Sequence, residues 1–83
     1  MEEIEELAKN LYHPPIEAGF TTIVMIETIL MYYPYSENRA EAIQRGVLQA
    51  KTYHYDEKRR GVKVYVYDRS TGTLEEIDFT KFH

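Results

Sequence analysis

Hydrophobic and polar positions follow two periods along the chain, a helical one as far as about residue 50 and an alternating one beyond it. In EEIEELAKNLY, the residues Ile4, Leu7, Ala8, Leu11 and Tyr12 recur at i, i+3, i+4, i+7 and i+8, one stripe of an amphipathic helix. Its Glu-rich first turn suits the positive end of the helix dipole. Pro14 and Pro15 stop this helix near His13. The stretch FTTIVMIETILMYY, residues 20–33, is the most apolar part of the chain. It is longer than a typical strand, no Gly or Pro interrupts it, and Glu17, Thr21 and Thr28 lie at helical spacing. The pattern therefore predicts a second helix over residues 16–33, stopped by Pro34. Ser36 is a candidate N-cap for a third helix in ENRAEAIQRGVLQA. There Ala40, Ile43, Val47 and Ala50 form the inner seam, while Glu41, Arg45, Leu48 and Gln49 look outward. Gly46 weakens a helix unless a close neighbour requires it.

After Ala50 the period changes to two. The tyrosines alternate in KTYHYD, DEKRRG reads as a turn, and VKVYVYD alternates Val62, Val64 and Val66 with Lys63, Tyr65 and Tyr67. RSTGT supplies a second turn and LEEIDF a further strand. The expected architecture is a single α+β domain over residues 1–83, with three N-terminal helices followed by a small antiparallel β-hairpin or three-stranded meander. The valine face of that sheet is expected to pack on the helices.

A chain of 83 residues buries only about 60–65% of its unfolded surface, so the core is marginal and oligomerisation is in play. The absence of Cys removes disulfides, thiolate metal sites and thiol nucleophiles, and points to an intracellular protein. The acidic opening MEEIEELAK is unlike a signal peptide, and the longest apolar run falls short of the ~20 residues that span a bilayer. A cytoplasmic location without membrane association is expected. Two Asn and two Gln beside many Glu, Arg, Ile and Tyr is the bias of heat-adapted proteins, which points to a thermophilic source.

The net charge of -4 is unevenly spread. Residues 1–37 carry seven Glu against Lys9, a balance of -6, whereas residues 38–69 carry eight bases against four acids, a balance of +4. Catalytic chemistry finds little footing. His13, His54 and His83 are scattered without ligand spacing, and no phosphate-binding glycine motif or nucleophile elbow occurs. Adjacent carboxylates such as Glu75 and Glu76 point to different sides. No enzyme activity, metal or cofactor is expected.

Three helices followed by a hairpin is the order of elements in a winged helix. In that arrangement Arg39, Arg45, Gln49 and Lys51 would lie on the recognition helix and Arg69 at the wing tip, in the basic part of the chain. A DNA-binding regulator is thus one expectation. SENRAEAIQRGVLQA also resembles the second helix of ribbon-helix-helix repressors, with FTTIVMI in the place of the ribbon. Too few residues separate the two to hold the helix that family requires.

The competing expectation is a protein-interaction module, such as a small inhibitor or adaptor of the kind viruses and mobile elements encode, or an oligomer that sequesters a small ligand. Eight tyrosines support it. Tyr53, Tyr55, Tyr65 and Tyr67, beside Lys63, would form an aromatic platform on the sheet. A homo-oligomer is expected through the apolar helix around residues 20–33, because one small core can hardly cover it. On that helix Glu27 would fall on the most buried arc, between Ile16 and Phe20. A buried carboxylate needs a basic partner, a raised pKa, or a place in a pocket or interface.

Overall fold

The structure is a computed structural model that describes residues 2–9 and 18–82. Helix α1 is Glu2–Lys9, and strands β1, Phe20–Ile26, and β2, Ile29–Ser36, form a hairpin. Helix α2, Arg39–Lys51, continues into a π-helical turn at Thr52–Asp56. Strands β3, Val62–Asp68, and β4, Thr73–Ile77, form a second hairpin, and a 3-10 turn at Phe79–Lys81 follows. The four strands make one antiparallel sheet in the order β2-β1-β3-β4.

The fold is α+β, but the expected run of three N-terminal helices and its winged-helix-like order are corrected. Residues 20–33 form most of a hairpin, because β1 is buried on both of its faces. Val24 and Ile26 face α2, and Ile23 and Met25 face α1. A strand covered on both sides loses its polar alternation and reads as one long apolar run. The hairpin turn is hidden as well. It consists of Glu27 and Thr28, with Glu27 at φ +57, a left-handed conformation more often held by Gly or Asn. Of the expected polar stripe, Glu17 lies outside the described residues, Thr28 is in the hairpin turn, and Thr21 turns inward, as does its neighbour Thr22. Both are fully buried, and their hydroxyls donate to the Pro34 carbonyl at 2.7 Å and the Ala42 carbonyl at 2.8 Å.

The third expected helix is α2, capped by Asn38, whose side chain accepts from the Glu41 amide at 2.8 Å. Ser36 instead closes β2 and is buried. The inner face of α2 is Ala42, Gly46, Val47 and Ala50, with Ile43 partly buried and Ala40 exposed. The segment 51–56, whose alternating tyrosines left strand and helix end both open, continues the helix. Tyr53 packs against the core, and the His54 and Tyr55 rings meet edge-on at 4.8 Å and close over Phe79. Helix α1 follows its predicted stripe as far as Lys9; the rest of the expected helix, to His13, lies outside the described residues.

Two helices thus sandwich the sheet. The valines of β3 face α2 as expected, joined by Val24, Ile26, Ile77 and Phe79. On the other face Ile4 and Ala8 of α1 pack on Ile23, Tyr65 and Tyr67. Gly46 sets the height of α2 above the sheet. A Cβ at this position would stand 2.6 Å from Val64 Cγ1 and 2.8 Å from Thr22 Cγ2, so only a residue without one fits. Gly46→Ala is therefore expected to destabilise the fold by about 1–3 kcal/mol despite its gain in helix propensity. The shift in urea midpoint measures this, and an unchanged or raised midpoint would show that the contact is loose.

Candidate functional site

The cations expected to read DNA are committed to other parts of the chain. Arg39 makes a bidentate pair with Glu75 of β4, with Nη2 at 2.6 and 2.7 Å from the two carboxylate oxygens. Arg45 pairs with Glu41 one turn back at 2.7 Å and donates to the Tyr35 carbonyl at 3.1 Å, with its guanidinium 5.8 Å from the Tyr33 ring centre. It ties α2 to the end of β2. Lys51 donates to the Phe82 carbonyl, and Gln49 is partly buried. Arg69 lies in the β3–β4 turn, yet it is only 8% exposed. Its guanidinium reaches under α1 and donates to the Ala8 carbonyl at 2.8 Å, the Lys9 carbonyl at 3.3 Å and Thr21 Oγ1 at 2.8 Å. A cation at the carbonyl end of a helix satisfies orphan acceptors and complements the helix dipole. Thr21 passes the connection to Pro34, so one network joins α1, β1 and β2.

The tyrosines are also separated. Tyr65 and Tyr67 are 2% and 4% exposed beneath α1, whereas Tyr53 and Tyr55 lie in the π-helical turn, where Tyr53 packs into the core on the α2 side. Lys63 is exposed, on the same strand as Tyr65 and Tyr67. The structure does not bring these residues into one platform. Burial raises the Tyr65 pKa, helped by nearby Glu76, as expected of a phenol kept from water.

Glu27 is exposed at the β1–β2 turn. Its amide donates to the Gly61 carbonyl at 3.3 Å, and its carboxylate receives Arg59 Nη2 at 3.0 Å. The Arg59 amide is itself held by the Tyr53 carbonyl at 2.8 Å. The Arg59 hydrogen bond and then its charge hold the Glu27 carboxyl below its ordinary value of 4.5. The carboxylate therefore staples the first hairpin to the loop before β3.

Sequence reasoning missed the outer edge of β2. Ile29 is 54% exposed, Leu30 36% and Tyr32 44%, and no charged residue occurs from Thr28 to Ser36. Natural sheets guard such edges with Lys, Glu or a cover. The opposite edge, β4, follows that rule with Glu75 and Glu76. The signal in the sequence was ILMYYPY, a long uncharged run after a β-branched one, visible once the helix reading is set aside. A second apolar surface is an open groove of about 650 Å³ along the outside of α2, floored by Ile43, Val47, Leu48 and Phe82. Among the described residues no group of three or more His, Asp or Glu is placed to hold a metal ion, and no helix is long and apolar enough to cross a membrane.

Two expectations follow. Arg69→Met leaves the α1 carbonyls and Thr21 without their donor and should cost about 2 kcal/mol or more in denaturant unfolding, with Arg69→Lys recovering only part. Equal stability of Arg69→Met and the parent would remove the cap. For Glu27, a folded pKa below the unfolded one means that the Arg59 pair stabilises above the usual carboxylate range and is lost as pH falls through the folded value. Glu27→Gln should lower the melting temperature at pH 7 by at most a few degrees, as exposed pairs do, and the difference should vanish in acid. A difference that persists in acid would contradict an electrostatic role. Comparison with protein-family models, with curated proteins and with solved structures finds no match to this chain.

Proposed function

We propose that the chain is a non-catalytic protein-interaction module that binds an extended, uncharged segment by strand addition at the β2 edge. The observation that carries this reading is the contrast between the two sheet edges: β2 is apolar, uncharged and exposed, while β4 carries Glu75 and Glu76. Strand addition draws affinity from main-chain hydrogen bonds and selectivity from alternating side chains. Leu30 and Tyr32 flank the edge on the α1 side and Ile29 and Met31 on the α2 side, because their β1 partners Met25, Ile23, Ile26 and Val24 divide in that way. The reading accounts for apolar exposure that a self-contained domain would avoid.

A DNA-binding role has less support, since Arg39 and Arg45 are neutralised within the chain and Arg69 is buried. Of the remaining cations Lys9, Lys58, Arg60, Lys63 and Lys81 are exposed without a salt bridge among the described residues. One experiment separates the two. Panning a library of random displayed peptides against the chain should enrich uncharged β-branched and aromatic sequences whose binding is lost in Tyr32→Lys, while low-salt duplex DNA is not retained. Enriched peptides indifferent to Tyr32→Lys, or DNA retention that falls steeply with salt, would overturn the reading.

A further inference from the structure

The two-residue turn closes on the pair Ile26 and Ile29, which fixes the direction of the backbone groups of β2 from Ile29 to Tyr33, ahead of the register shift. In an antiparallel hairpin the hydrogen-bonded pairs alternate, so Ile29, Met31 and Tyr33 turn their N–H and C=O groups toward Ile26, Val24 and Thr22. The groups of Leu30 and Tyr32 point away from the sheet. On β1 the complementary set faces β3, consistent with the Glu27 amide bonding to Gly61. Pro34, at the register shift that follows Tyr33, has no N–H, and its carbonyl is occupied by the Thr21 hydroxyl. Among the described residues no strand pairs with this edge, which therefore presents two donors and two acceptors, arranged symmetrically about Met31.

We propose that the segment added at this edge is β2 of a second copy of the chain, antiparallel about a two-fold axis through Met31; this rests on the strand-addition reading above. Only this register satisfies the whole edge. Leu30 of each copy then faces Tyr32 of the other and all four hydrogen bonds form. An axis through Tyr32 sets Leu30 against Pro34, and an axis through Leu30 sets Tyr32 against the turn residue Thr28, so either shift forfeits two of the four. A symmetric interface must be complementary to itself, and the side chains meet that condition. Ile29 faces Tyr33 and Met31 faces Met31 on the α2 side, while Leu30 faces Tyr32 on the α1 side. Each is an apolar or aromatic cross-strand pair of the stabilising kind.

Charge favours the same occupant. Each chain carries -4, so a self-association surface must avoid its own acids, and β2 is the edge strand that does so. Glu27, in the turn before the strand, is already paired with Arg59. At β4, self-pairing would bring Glu75 and Glu76 of the two copies together. The dimer would hold one continuous eight-stranded sheet, with each β2 moved from its edge to its centre. A single-strand contact belongs to the small class of interfaces, below about 1,200 Å², so the expected dissociation constant is on the order of micromolar.

The test is sedimentation equilibrium of the full chain across that concentration range, together with two variants. The mass should rise from 9.9 kDa toward twice that value. Leu30→Pro removes an outward N–H that β1 does not use, so it should keep the circular dichroism of the fold and lose the dimer at least tenfold in affinity. Met31→Cys places the sole thiol of the chain opposite its own copy, with Cα atoms about 4.5 Å apart at such a non-hydrogen-bonded pair, and should oxidise to a disulfide-linked dimer. Leu74→Cys, on β4, should not. A monomer at every concentration, a dimer indifferent to Leu30→Pro, or equal cross-linking at both positions would overturn the proposal. If the chain is monomeric but still enriches strand peptides through Tyr32, the second copy fails while the β2 edge stands. Loss of both ends both readings.

Discussion

The close seat of α2 on the two central strands is the constraint from which the rest of the molecule follows. Gly46 lets the helix descend until its backbone meets Val64 of β3 and Thr22 of β1, and the Thr22 hydroxyl bonds the helix at Ala42 from below. With α2 centred there, the valines of β3 and the inner side of β1 form one dry layer. Helix α1, fixed by the Arg69 guanidinium at its carbonyl end, covers Ile23, Tyr65 and Tyr67 on the opposite face. The outlying strands receive less. β4 compensates with charge and the Arg39–Glu75 bridge, while β2 is left with apolar side chains in water. Exposure at β2 is thus a consequence of where two small helices can reach in a chain of 83 residues.

The same geometry explains which parts of the fold were legible in the sequence. The α1 stripe and the α2 span each meet the sheet on one side and water on the other, and β3, though covered on both faces, still alternates because valines line one face and Lys63, Tyr65 and Tyr67 the other. β1 has helices on both faces, so its residues are uniformly apolar or buried threonine and carry no period to read. Its turn is made by Glu27 and Thr28, and its partner strand contains a proline at a register shift, so the usual punctuation was absent or pointed to a helix stop. In TYHYD the alternating tyrosines mimic a strand, but Tyr53 follows the inner face of α2 around one wider turn.

Candidate function was less legible than fold because charge in a sequence does not reveal its own neutralisation. Arg39, Arg45 and Arg69 are separated in the chain from Glu75, Tyr35 and the α1 carbonyls by intervals that only the folded structure closes. Once closed, they lash α2 to both edges of the sheet and α1 to its face. Glu27 shows the reverse case. It was odd only as part of a helix; at a hairpin turn it is exposed and paired with Arg59. Among the described residues, the β2 edge is a row of exposed uncharged side chains with an unpaired backbone beside them.

The central claim is that residues 20–36 form a hairpin whose outer strand has an open backbone edge, and amide hydrogen exchange read residue by residue tests it most directly. In dilute solution the amides of Ile29, Met31 and Tyr33 should be protected while those of Leu30 and Tyr32 exchange freely, an alternation that a helix cannot produce. Uniform protection, or uniform exchange, from Ile29 through Tyr33 would contradict the account.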